Sequence, residues 1–175
     1  MKKTTKITLS GMMAALAITV MFVSYFPYLT YAVPAISGLF IMVVVIEINR
    51  KWALLTYLAS AVIIALWSEP ESKLMYLALF GYYPILKSVL EGMRKPVFEW
   101  ILKLVVFNTA VLAVYYLLAK PFGISMDDLQ EFGKYGVGAL LLLGNAVFVV
   151  YDIAVSRMAM VYMNTLHNRI KKLLR

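Results

Sequence analysis

The sequence predicts an all-α integral membrane protein with six transmembrane helices and with both termini in the cytoplasm. Of its 175 residues, 63% are hydrophobic and 15% are charged, whereas a soluble domain carries about 25% charged residues. The apolar residues form runs of helical-span length between short polar or proline-containing breaks. Six such runs leave no room for a soluble domain, and we expect a single transmembrane domain over residues 1–175.

The spans follow from the positions of the breaks. The run 7–26 follows a basic start and has 20 residues, which favours a retained crossing over a cleaved signal peptide. The second and third runs, 35–48 and 52–67, are shorter than a helix needs to be to cross a hydrocarbon core of about 30 Å. A basic amphipathic tail is expected at 157–175, on anionic lipid. The predicted spans are 7–26, 35–48, 52–67, 74–90, 100–119 and 135–156.

The distribution of charge predicts the orientation. With the N-terminus inside, all but three of the 17 Lys and Arg residues fall in cytoplasmic segments; the exceptions are Lys73, Lys120 and Lys134. The positive-inside rule therefore favours an even number of crossings in the cell membrane. The net charge of +8 reflects topology, so we expect no nucleic-acid partner.

The composition limits the possible chemistry. Without cysteine and with one histidine, the chain lacks thiol catalysis and most ligands for zinc or haem. The acidic stretch around Asp127, Asp128 and Glu131 is typical of a short surface helix rather than of a magnesium site. We expect no enzymatic activity, no cofactor and no metal.

Aromatic and amide side chains are the candidate solute-binding groups. Between Pro27 and Pro34 lies a largely apolar loop that we expect at membrane depth, where non-helical backbone is tolerated only if other protein covers it or it lines a cavity, as at many solute sites. The aromatics have an alternative interpretation as an interfacial belt, and the amides as hydrogen-bonding contacts between helices. The candidate solute-binding residues are Tyr28, Tyr31, Trp67, Tyr82, Asn108 and Asn145.

Charged and small residues predict packing contacts. Asp152 lies within the last span, and we expect it to form a structural ion pair with Lys87 or Lys103 rather than a proton relay. In the first span, Ser10 with Ala14 and Gly11 with Ala15 form small-xxx-small pairs. Such a face suits either packing inside the bundle or docking to a separate membrane subunit.

The start MKKTTKITLSGMMAALA, the six spans with both ends inside and the aromatic-rich first outer loop resemble the S components of energy-coupling factor transporters. The resemblance implies a subunit that binds a vitamin-like or other small polar solute near the outer side, against spans four to six. It also implies partners, namely a transmembrane coupling subunit and cytoplasmic ATPases. In that family an Ala-xxx-Ala pattern in the first helix packs on the coupling subunit, and Ser10, Gly11, Ala14 and Ala15 take its place here.

A second hypothesis is a scaffold that transports nothing, resembling the MreD family of rod-shape proteins. In a scaffold the aromatics and amides would only pack helices. The two hypotheses differ in whether the outer loop covers a cavity lined by Tyr82, Asn108 and Asn145.

Overall fold

A computed structural model of the protein describes residues 2–26, 28–93, 95–114, 116, 136–167 and 169–170. Within these ranges the chain is helical apart from short connections, and it contains no strand. The α-helices are α1 Lys3–Met21, α2 Ala32–Glu47, α3 Arg50–Trp67, α4 Pro70–Met75, α5 Tyr83–Glu91, α6 Pro96–Ala113 and α7 Gly136–Tyr162. Three of them are extended by helical turns of other types: α1 by the 3₁₀ turn Phe22–Tyr25, α4 by the π turn Tyr76–Phe80 and α7 by the π turn Met163–His167.

Helix starts follow from local sequence. The Asn49 side chain accepts a hydrogen bond from the Trp52 amide at 3.0 Å and so caps α3. The Glu69 carboxylate caps α4 in the same way, with Pro70 in the first turn, where a missing N–H costs nothing. Pro96 begins α6 for the same reason.

Among the described residues, four helical segments are long and apolar enough to cross a bilayer, namely Lys3–Tyr25, Arg50–Trp67, Pro96–Ala113 and Leu141–His167. This finding supports a membrane protein. Helix α2 has only 16 residues, a rise of about 24 Å. Predicted span 74–90 is interrupted between α4 and α5. The six crossings therefore remain a prediction.

The interruption within the predicted fourth span has a local cause. Pro84 has no N–H, so the Phe80 carbonyl loses its usual helical partner. The residue after Phe80 has to be glycine, because a Cβ atom at Gly81 would lie 2.6 Å from the Tyr57 ring. The helix is consequently interrupted at residues 81 and 82 and restarts as α5. We refer to Pro70–Glu91, which this break divides in two, as the fourth region.

Helix α2 lies at the centre of the first half of the bundle. Ile41 and Val44 on α2 are fully buried against α1 and α3. The Ser37 hydroxyl donates to the Ala17 carbonyl at 2.8 Å, which joins α2 to α1. A Cβ atom at Gly38 would overlap the Phe80 carbonyl, so α2 and the divided fourth region are in close backbone contact.

Contacts between distant residues define two ends of the bundle. At the basic end, Arg50 donates to the Ser88 carbonyl at 2.5 Å, and Glu47 accepts a hydrogen bond from Tyr162 at 2.7 Å. At the aromatic end, the Tyr25 hydroxyl donates to the Trp67 carbonyl at 2.5 Å. The consecutive helices α1, α2 and α3 thus run in alternating directions, with α1 parallel to α3.

Helix bounds differ from the predicted spans mainly at the C-terminal side. Helix α7 continues to Tyr162 and is followed by the π turn Met163–His167, so much of the predicted tail 157–175 prolongs the last helix. Residues 168 and 171–175 of that tail lie outside the described residues, as do Pro27 and the acidic residues Asp127, Asp128 and Glu131.

Candidate functional site

An open, groove-like cavity of about 470 Å³ lies between the divided fourth region and α6, and its lining residues Val105 and Thr109 are exposed. Its walls are small apolar side chains and two hydroxyl-bearing residues. Tyr82 is the one predicted solute-binding residue that lines it. The lining residues are Ala78, Tyr82, Val105, Val106, Thr109, Ala110, Ala113 and Val114.

Tyr82 owes its position to the break in the helix. It directly precedes α5, and its ring packs edge-on against Tyr57 with ring centroids 6.0 Å apart. The Tyr57 hydroxyl is engaged with the Leu77 carbonyl at 2.9 Å. By contrast, no hydrogen-bond partner for the Tyr82 hydroxyl lies within the described part of the chain, which leaves this hydroxyl available at the cavity wall.

The two predicted amides bind each other. Asn108 donates to Asn145 at 3.1 Å, and Asn145 donates back at 2.9 Å. Each NH₂ group also donates to a carbonyl of its own helix, from Asn108 to Leu104 and from Asn145 to Leu141. Both N–H donors of each amide are therefore used, and the pair joins α6 to α7.

An aromatic layer joins α6 to α7 between the amide pair and the ionic cluster. Phe107 on α6 and Phe148 on α7 stack with centroids 4.6 Å apart. The Tyr83 ring meets Phe148 edge-on at 5.1 Å. Gly144 lets the Phe107 ring approach α7 closely, because a Cβ atom at residue 144 would lie 3.1 Å from that ring.

Beyond the aromatic layer lies an ionic cluster of five charged side chains. Asp152 accepts hydrogen bonds from Lys87, from Lys103 at 3.1 Å and from the Tyr83 hydroxyl at 2.5 Å. The predicted pairing of Asp152 is thus present, and with both lysines. The five members, held by α5, α6 and α7, are Lys87, Glu91, Glu99, Lys103 and Asp152.

The buried part of the cluster is electrically balanced. Lys103 is 1% exposed and contacts the Glu99 carboxylate at 2.6 Å, while Lys87 contacts Glu91 at 2.7 Å. Two ammonium groups face Asp152 and Glu99, whereas Glu91 is 44% exposed at the rim. A balanced and fully paired set avoids the large cost of an unpaired buried charge, which favours a structural role.

The predicted aromatics of the outer region lie apart from the cavity. Tyr28 is 98% exposed, Trp67 is 66% exposed and Tyr31 is 57% exposed. Tyr28 also has a φ of 71°, in the left-handed region that a non-glycine residue seldom adopts. The Ser72 hydroxyl donates to the Thr30 carbonyl at 2.8 Å. The loop therefore rests on the start of α4, and none of these three aromatics lines the cavity.

The small residues of α1 divide between two faces. Ser10 and Ala14 are buried inside the bundle. Gly11 and Ala15 are exposed, and a Cβ atom at Gly11 would meet nothing within 4 Å. A docking face on α1 is therefore limited to the second pair.

Sequence reasoning missed several members of these contacts. Glu91 and Glu99 stand four residues from Lys87 and Lys103 respectively, a spacing that places them on the same helix face. Glu47, which also lies 2.9 Å from His167 Nδ1, is 120 residues away from it in sequence, and no local signal joins the two. In the part of the chain that the structure describes, no cluster of His, Cys, Asp and Glu could hold a metal ion.

Comparison of the chain with family models, with curated proteins and with solved structures found no match. The resemblance to S components therefore rests on the N-terminal sequence, the predicted spans and the aromatic outer loop.

Proposed function

We propose that the protein is a solute-binding subunit embedded in the cell membrane, with both termini cytoplasmic, that takes part in uptake energised by separate subunits. The observation that carries this proposal is the cavity of about 470 Å³ beside the interrupted helix. Interrupted helices at membrane depth are a common place for transported solutes to bind. The volume of the cavity falls within the range of small-molecule binding sites.

The layers between α6 and α7 support capture rather than a channel between these two helices. Moving along α6 and α7 toward the basic end, the amide pair is followed by the stack of Phe107 on Phe148 and then by the ionic cluster. These layers close the interface between α6 and α7. The path between α6 and α7 is therefore closed to a solute, which supports a role in capture, with movement and energy supplied by a partner.

The exposed face of α1 supports docking to a transmembrane partner. Gly11 and Ala15 would let a second helix approach closely. The neighbouring hydroxyls of Thr8 and Thr19 donate to carbonyls of α1 itself, Thr4 at 3.1 Å and Ala15 at 2.9 Å. They therefore present no unpaired donor to a partner or to lipid. The proposed partners are a transmembrane coupling subunit with cytoplasmic ATPases.

Native mass spectrometry of the protein purified from its host membranes tests this function. We expect a stoichiometric small molecule, together with a coupling subunit and two ATPases. Ala15→Trp should remove these subunits while the small molecule stays bound. Ala59→Trp, at an exposed alanine of α3, is the matched control and should keep them. An assembly that survives Ala15→Trp would contradict docking through this face.

A scaffold that transports nothing is the second candidate, and the amide pair favours it. Asn108 and Asn145 spend their N–H donors on helix contacts, as in a protein whose polar residues only pack helices. A protein that is purified empty and bound to cell-envelope proteins would support the scaffold.

A further inference from the structure

We propose that the cavity accepts a neutral, mostly apolar molecule with a hydrogen-bonding group, rather than a charged one. The inference rests on the proposed function and names the solute class for the same site. Tyr82 and Thr109 are the two lining residues with polar side chains, and the other lining residues are alanines and valines. The walls therefore offer contact with apolar surface and two hydroxyl groups for orientation.

The absence of a counter-charge argues against an ionic solute. None of the lining residues within the described part of the chain is charged. The nearest buried cation along α6, Lys103, stands two residues before the lining residue Val105, about 3 Å along the helix axis, and its side chain is 1% exposed. Its ammonium group is already paired with Glu99 and Asp152. An ion in the cavity would be desolvated without a counter-charge, which is strongly unfavourable.

The amide pair does not change this conclusion. Asn108 directly precedes the lining residue Thr109, yet its two N–H groups are directed to Leu104 and Asn145. A solute with many polar groups would have to break that pair to find donors. The hydroxyls of Tyr82 and Thr109, for which the described residues provide no hydrogen-bond partner, are the groups left to bind it. A solute with one or two polar groups can form hydrogen bonds with both of these hydroxyls.

Three naphthalene probes of similar size and different charge test the solute class. Naphthol is neutral, naphthoate is an anion and naphthylmethylamine is a cation at neutral pH. Equilibrium dialysis is performed with the full-length protein in lipid nanodiscs. Ala113→Phe, which fills the cavity, defines the background from partition into lipid. Ala59→Phe, on the exposed face of α3, adds the same ring outside the cavity and should bind like the wild type.

We expect saturable binding of naphthol that is at least about tenfold tighter than binding of either ion and that Ala113→Phe abolishes. Tyr82→Phe should weaken the binding of naphthol and leave the binding of naphthalene unchanged. Tighter binding of naphthoate or naphthylmethylamine would overturn the solute class and leave the proposed function standing. Equal binding of all three probes to wild type and Ala113→Phe would overturn both the solute class and the use of this cavity.

Discussion

Asn108 and Asn145 exchange two hydrogen bonds across the contact of α6 with α7, at 3.1 and 2.9 Å. Either residue alone would leave hydrogen-bonding groups of its side-chain amide unpaired in an apolar interface, and the partner amide supplies the missing hydrogen bonds. The pair fixes the rotation of both helices, because each amide must face the other.

We expect Asn108→Ala and Asn145→Ala each to lower the free energy of unfolding by about 1 kcal/mol. The double variant should lose less than the sum, with a coupling energy of about 0.6 to 1.7 kcal/mol. Reversible unfolding in mixed detergent micelles measures all four proteins. Additive losses would contradict a direct interaction between the two amides.

Asp152→Asn should be strongly destabilising. It removes the carboxylate between two buried ammonium groups, a change that costs about 3 to 5 kcal/mol. Adding Lys87→Met should recover part of this loss, because Lys103 keeps its contact with Glu99 at 2.6 Å and the carboxylate that loses Lys87, Glu91, is 44% exposed. Thermal unfolding of the single and double variants tests this, and a double variant less stable than Asp152→Asn would contradict the arrangement.

Two tyrosine-to-phenylalanine changes should differ in their effect. Tyr83→Phe removes the hydrogen bond to Asp152 at 2.5 Å and should cost about 1.5 to 3 kcal/mol. The Tyr151 hydroxyl is buried and has no hydrogen-bond partner within the described residues, so Tyr151→Phe should be neutral or stabilising. The two variants are compared by their free energies of unfolding. An equal loss would show that Tyr151 has a polar partner.

Gly38→Ala should lower the free energy of unfolding by about 1 to 3 kcal/mol through overpacking, because its new methyl group would overlap the Phe80 carbonyl. Gly11→Ala is the matched control on α1, where a Cβ atom meets nothing within 4 Å. It should be neutral or stabilising by up to about 1 kcal/mol. Similar losses in both variants would argue against close contact of α2 with the fourth region.

The sequence predicts the membrane class and the pairing of Asp152 because charge in an apolar run is rare and has to be compensated. It cannot predict which face of a helix points inward when the helix is apolar on all sides. For this reason Ser10 and Gly11 were assigned to the same docking face, although the structure buries the first and exposes the second.

Helix rotation also decides the candidate site. The depth of Asn108 in its span is compatible with binding a solute or another helix, and the structure directs both of its N–H groups to protein atoms. The cavity residues Ala78, Ala110 and Ala113 could not be recognised, because small apolar residues are common in every span and the cavity arises only from their arrangement in three dimensions.

The carboxylates that stand one helical turn from each buried lysine bear on how the chain enters the bilayer. Lys87 pairs with Glu91 and Lys103 with Glu99, each within its own helix. Insertion of a lone lysine into a bilayer is unfavourable, by about 2.5 to 3.5 kcal/mol at the centre of a helix, and a carboxylate on the same face reduces that cost. Each lysine thus has a counter-ion on its own helix, and Asp152, which lies later in the sequence, gives both lysines a shared second partner.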